Sequence, residues 1–208
     1  MSLLQSSDLN NSAIFRPFSE LPSEHEFSET YLSYTKPRKH WCFLGKIVKC
    51  NFLVRLTLDV EDKKGHRFLV AFHTDDRGAA FKAMCIPGNT IAVLYAAQHT
   101  FAFSPPGLRI EEDGRVMVFP YSLEKMLAVS NDVLQRAKAG TCETCGAVEN
   151  SMKKCARCKT ALYCSRECQT NGWASHKDRC AITKDLLWFM QRDWESSSNA
   201  HLFPAGRY

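Results

Sequence analysis

The chain has 208 residues, 45% hydrophobic and 24% charged, with a formal net charge of +5. Its composition is ordinary for a globular protein, and no apolar run approaches the roughly 20 residues that a membrane span needs. The opening MSLLQSSDLNNS has no basic stretch followed by an apolar core, so no secretory signal is expected and the chain reads as intracellular. Seven of the ten cysteines lie between Cys142 and Cys180. In an intracellular chain such crowding points to metal binding rather than to a disulfide framework.

Residues 1–37 hold eight serines, five acids and no sustained periodicity, and are expected to form a flexible N-terminal arm. Scattered aromatics (Phe15, Phe18, Phe27, Tyr31, Tyr34) leave room for part of it to dock on the next domain. Residues 38–121 read as strands. In FLVRLTLDV, Phe52, Val54, Leu56, Leu58 and Val60 alternate with Leu53, Arg55, Thr57 and Asp59, the period of two of a half-buried strand. The turn Asp62–Gly65 follows, and Arg67–His73 pairs back as a hairpin. Ala79–Met84 has helical composition, and Pro87–Asn89 punctuates before the strand TIAVLYA. A last hairpin through Ser104–Gly107 is expected to close with RVMVFP. Five strands with a helix between the third and fourth resemble the order of an OB-fold barrel.

Residues 122–140 show helical spacing at Leu123, Met126, Leu127, Val133 and Leu134, a connecting helix that Gly140 is placed to stop. Residues 141–180 then carry the spacing C-x2-C-x9-C-x2-C-x5-C-x3-C-x7-H-x3-C. The candidate ligands are Cys142, Cys145, Cys155, Cys158, Cys164, Cys168, His176 and Cys180. A C-x2-C pair turns both sulfurs toward one ion, and pairs four apart fall on one face of a helical turn. Zinc takes four such ligands, so eight make two closed, structural sites with no position left for substrate. Two zinc ions add four charges and seven thiolates remove seven, so the formal +5 becomes +2. Residues 181–208 continue as an amphipathic helix, with Ile182, Leu186, Phe189 and Met190 on one face, and a frayed tail.

CETC…CARCKTALYCSRECQTNGWASHKDRC resembles the MYND-type zinc finger, including Tyr163-Cys164, Cys168-Gln169, Trp173 and His176-Lys177. The resemblance implies interleaved sites, with Cys142, Cys145, Cys164 and Cys168 on one zinc and Cys155, Cys158, His176 and Cys180 on the other. It also implies a protein partner, bound through a proline-containing peptide laid beside a small strand. Gln169 and Trp173 match the positions that shape the peptide pocket. Four apart on a helix, they share a face, and an exposed Trp beside an amide suits proline stacking plus one hydrogen bond.

The expected class is therefore α+β: a small OB-like β-barrel domain, a connecting helix and a C-terminal two-zinc MYND finger, acting as an interaction module. Nucleic acid is the alternative partner, through Lys46, Lys49, Arg55, Lys63, Lys64 and Arg67 on or beside strands two and three. That reading lacks exposed aromatics, because Phe52, Phe68 and Phe72 fall on the inward alternation. Catalysis is the second alternative. No Gly-rich phosphate loop, H-E-x-x-H or G-x-S-x-G is present, so no catalytic residue is expected. Cys42, Cys50 and Cys85 sit among apolar residues and read as free thiols.

Overall fold

A computed structural model describes residues 8–25, 39–195 and 199–204. The chain divides into two compact units, one of Met1–Asn10 with Glu124–Asp193, the other of Asn11–Leu123 with Trp194–Tyr208.

The second unit is a mixed sheet curved into a half-barrel. Its strands are β1 (Phe15–Arg16), β2 (Cys42–Phe52), β3 (Leu56–Asp62), β4 (Arg67–Phe72), β5 (Thr90–Leu94), β6 (Gln98–His99), β7 (Gly107–Ile110) and β8 (Val116–Phe119). They are ordered β6-β7-β4-β3-β2-β5-β8, with β1 parallel to β2. Period-two alternation fills the concave side: Leu56, Leu58 and Val60 are fully buried, and Thr57, Asp59 and Glu61 take the other face. A bulge between Ile47 and Lys49 bends β2, which pairs with β3 from Gly45 to Phe52 and with β5 from Cys42 to Lys46.

Several elements differ from the sequence expectation. The alternation from Phe52 to Val60 runs through a turn, not along one strand: Phe52 ends β2, β3 begins at Leu56, and Leu53 is 93% exposed. Phe52 is itself exposed rather than inward. Without Gly, Pro or Asn, that turn carries no compositional mark. The expected helix at Ala79–Met84 is a 3-10 turn at Ala79–Phe81, held by the Asp76 carboxylate, which accepts from the amides of Gly78 and Ala80. RVMVFP does not close the last hairpin. β6 pairs with β7, β7 runs parallel beside β4, and β8 pairs with β5.

The arm expected at 1–37 is built into the fold across residues 8–25; residues 1–7 and 26–38 lie outside the described residues. Phe15 is buried and pairs with Cys42, Phe18 stacks on Phe68 with centroids 3.9 Å apart, and Lys64 meets Glu20 at 2.6 Å. Buried Asp62 fixes the junction by accepting from the amides of Phe18, Lys64 and His66. Anchoring by single aromatics leaves no periodicity to read.

The other unit contains α1 (Leu123–Ala139), α2 (Arg166–Met190) and the hairpin strands β9 (Lys153–Lys154) and β10 (Leu162–Tyr163). α1 ends at Gly140, φ 63°, whose amide reaches the Arg136 carbonyl. Leu9 is buried in this unit, its amide bonded to Ser130 Oγ. α2 is one helix of 25 residues, so the expected boundary at 180 falls inside it. Among the described residues no helix is long and apolar enough to cross a membrane.

The expected frayed tail instead returns to the β unit. Trp194 is 1% exposed and meets the edges of Phe15 and His201, and the Phe203 amide donates to the Gly114 carbonyl. Removing a buried Trp side chain costs about 3–5 kcal/mol. Trp194→Ala should therefore destabilise the β unit by that order in urea denaturation followed by strand-specific amide exchange. A loss under about 1 kcal/mol would show that the tail does not pack.

Candidate metal centre

The buried cluster of residues 142–180 contains Cys142, Cys155, Cys158, Cys180, Ala161 and Tyr163, with Cys164 and Cys168 partly buried against it. Cysteine takes the place that aliphatic side chains fill in an ordinary core. So little apolar surface could not hold the segment together unaided.

Two similar turns present four of the sulfurs. In the first, the Gly146 amide closes on the Cys142 carbonyl; in the second, the Lys159 amide closes on that of Cys155. Both closing residues are left-handed, at φ 74° and 59°. Glycine takes that conformation freely, whereas Lys159 takes it at a cost. Cys164 follows β10, and Ser165 caps α2 by accepting from the Cys168 amide at 3.2 Å. α2 then carries Cys168, His176 and Cys180 in four-residue steps. Gly172 sits among them because a Cβ there would run into Thr144 Oγ1, which donates to the Cys168 carbonyl at 2.6 Å.

The eight candidates gather into two groups, Cys142, Cys145, Cys164 and Cys168, and Cys155, Cys158, His176 and Cys180; within each, the ligand atoms lie within 4.8 Å of one another. Zinc–sulfur bonds of about 2.3 Å at tetrahedral angles put sulfurs about 3.8 Å apart, and a sulfur and a nitrogen about 3.6 Å apart. The separations match. Cys145 and Cys164 Sγ are 3.6 Å apart, Cys164 and Cys168 3.4 Å, Cys155 and Cys180 3.8 Å, and Cys158 Sγ lies 3.6 Å from His176 Nε2.

Electrostatics point the same way. Burial opposes ionisation of Cys142, but amides of Cys145, Cys164 and Thr144 outweigh it and bring the thiol down to about 6. Hydrogen bonds to Cys168, Cys145 and Cys142 push Cys164 up to about 12. The second group divides likewise. Burial opposes ionisation of Cys158, yet the Thr160 hydroxyl and nearby amides hold it below its ordinary value, while burial and the charges of Cys158 and Cys155 push Cys180 up to about 12. Four neighbouring thiols cannot all ionise alone; a dication at their centre removes that conflict. Burial, then the charges of Arg179 and Arg136, keep His176 below its ordinary value and so neutral, the form that binds metal. The two clusters suit two zinc ions.

Behind His176 is a feature that ligand spacing did not reveal. Glu143 Oε2 lies 3.7 Å from His176 Nδ1 and is paired with Arg179, which also reaches Asp132 of α1 at 2.9 Å. Carboxylates behind a ligating imidazole orient the ring and raise its basicity. The one signal available was position, since Glu143 and Arg179 each adjoin a ligand cysteine.

Gln169 is half-buried and Trp173 is 41% exposed, with its ring 5.9 Å from that of His176. Cys42 and Cys85 are buried and Cys50 half-buried, apart from either cluster.

This geometry defines a zinc finger with two interleaved, closed sites. Residues 142–180 match the MYND finger family, so this segment is a MYND-type zinc finger. It is similar to N-lysine methyltransferase SMYD2 of Gallus gallus, 48% identical over 61 residues, which is 29% of this chain and 13% of that protein. It is also similar to histone-lysine N-methyltransferase Smyd1 of Mus musculus, 42% identical over 43 residues, 21% of this chain and 9% of that protein. The match thus spans about a tenth of each relative's length. Among solved structures, Schizosaccharomyces pombe Pot1pC bound to ssDNA overlaps 52% of this chain and 97% of its own, at 12% identity and a TM-score of 0.32. A likeness that weak carries no inference about fold or ligand.

Loss of an outer-shell partner typically lowers metal affinity 10- to 100-fold. Glu143→Gln should weaken zinc by about that factor at the Cys155, Cys158, His176 and Cys180 site and leave the other unchanged, read by competition with a chromophoric chelator. Equal affinity at both sites in variant and wild type would remove Glu143 from the metal's support.

Proposed function

We propose that the chain is an intracellular protein-interaction module whose MYND finger takes a proline-containing peptide of a partner across Gln169 and Trp173. Trp173 carries the reading. A large aromatic with 41% of its surface open, on a helix fixed by three metal ligands, is a rigid anchor already placed for a ligand. Gln169 lies one turn away and supplies an amide for the peptide backbone. Four protein ligands at each metal leave no coordination position for substrate, which favours a binding protein over an enzyme.

The β unit is proposed to be an OB-like scaffold. Its order supports this: β2, β3 and β4 form a meander, a 3-10 turn follows, β5 returns to β2, and β7 lies parallel beside β4. Its bases do not favour nucleic acid. Lys46 is in register with Glu61 and Lys49 with Asp59. Arg67 is 2.7 Å from Glu61, Lys64 pairs with Glu20, and Arg55 donates to the Phe72 carbonyl. Carboxylates in register with the bases would repel a phosphate chain.

Truncating an interface anchor costs about 2 kcal/mol or more, at least roughly twentyfold in affinity. Against a panel of short proline-containing peptides, Trp173→Ala should lose that much while keeping two zinc ions per chain, and Gln169→Ala should lose less. Cys164→Ser should lose zinc from its own site, because serine does not ionise to serve the metal as a thiolate does. If Trp173→Ala sheds zinc, the ring belongs to the core. If it keeps both ions and every peptide affinity, the pocket lies elsewhere.

A further inference from the structure

Six bases elsewhere in the chain meet acids. Lys64, Arg67, Arg109, Arg115, Arg136 and Arg179 each lie within salt-bridge distance of a carboxylate. The finger hairpin KKCARCK, residues 153–159, instead concentrates four bases in seven residues. Its two cysteines are buried zinc-ligand candidates, and Lys153, Lys154, Arg157 and Lys159 are exposed with no salt bridge among the described residues. A zinc ion held by three thiolates and a neutral imidazole carries one net negative charge, so four cations exceed what that site can neutralise.

The same hairpin has an open edge. Among the described residues β9 pairs with β10 alone, Lys153 opposite Tyr163 and Lys154 opposite Leu162. The far side of β10 is already used, because the Glu143 amide donates to the Leu162 carbonyl at 2.9 Å. An added strand therefore has β9 to pair with. This edge is close to the proposed peptide pocket. Tyr163, opposite Lys153, lies against Gly172, the residue before Trp173. Its own backbone amide and the Ser165 hydroxyl hold Glu167 below the ordinary carboxylate range, and Lys153 adds to this, which puts that ammonium near the first turn of α2.

We infer that the finger selects acidic partners: a proline-containing segment flanked by aspartate or glutamate, laid along β9 with its acids against Lys153, Lys154 and Arg157. The inference rests on the proposed peptide site and adds its charge preference. Four clustered cations beside an open strand edge and an exposed Trp suit an extended acidic peptide better than a nucleic acid, which would use the cations but leave the edge unpaired. The lysines set selectivity and encounter rate, while Trp173 anchors.

The test uses the full chain and short labelled peptides that share the centre of the strongest binder in the proline panel. They differ in carrying glutamate, glutamine or lysine at both flanks. The glutamate peptide should bind about fivefold or more tighter than the glutamine peptide at low salt, an advantage that shrinks as salt screens exposed charges. Lys153→Glu/Lys154→Glu should keep two zinc ions, lose that advantage and now prefer the lysine peptide. If glutamate and glutamine peptides bind alike, yet both weaken with Trp173→Ala, the peptide site stands and the charge preference is wrong. If no panel peptide binds, both fall. A short single-stranded oligonucleotide that binds more tightly than the glutamate peptide, and is lost in the double variant, would assign the patch to phosphate and overturn the inference.

Discussion

Four thiols within 4.8 Å of one another can all ionise only around a cation. That constraint governs the finger. Backbone amides aimed at Cys142, and the Thr160 hydroxyl aimed at Cys158, favour ionisation of one sulfur in each group, while neighbouring thiols push Cys164 up, and burial and neighbouring thiols push Cys180 up. A dication converts those opposed tendencies into attraction and supplies folding free energy of order 10 kcal/mol per site. In a segment whose buried cluster is mostly cysteine, no competing source of that size is present. Interleaving extends the effect along the chain. Each site joins an early C-x2-C turn to later residues, so neither half of the finger can order without the other.

The metal's influence passes beyond its ligands through charged side chains. His176 faces Glu143, Glu143 pairs with Arg179, and Arg179 reaches Asp132 on α1. Arg136 also meets Asp132, at 2.8 Å. The helix before the finger is thereby held to the helix that runs out of it. The pairs made by Glu143 and Arg179 are partly buried, so breaking one leaves a charge in poor solvent and costs more than its surface counterpart. The proposed peptide surface would follow from this rigidity. Trp173 and Gln169 ride on the stretch of α2 between its metal ligands, where the helix cannot fray.

What could be read from the sequence depended on whether a residue's role is local. Ligand spacing is local, and it pointed to two zinc ions in the finger. Alternation in β3 and the stop at Gly140 are likewise carried by neighbours in the chain. The N-terminal segment was not legible, because Phe15 and Phe18 act as single anchors whose partners Cys42 and Phe68 are distant in sequence. The same holds for the tail, where Trp194 and Phe203 pack against distant parts of the β unit without any pattern of their own. The turn at Leu53 was hidden because its composition is that of a strand. Glu143 and Arg179 support the metal by geometry alone and read in the sequence as ordinary charges.

Zinc, rather than apolar burial, holds the finger together. Hydrogen exchange of the full chain before and after stripping zinc with a strong chelator tests it most directly, with metal content measured on the same sample. Before treatment the chain should hold close to two zinc ions. After it, amides of residues 142–180 should exchange at unfolded rates while β2 to β5 keep their protection. Retained protection across residues 142–180 in protein with no bound zinc would contradict a zinc-held finger.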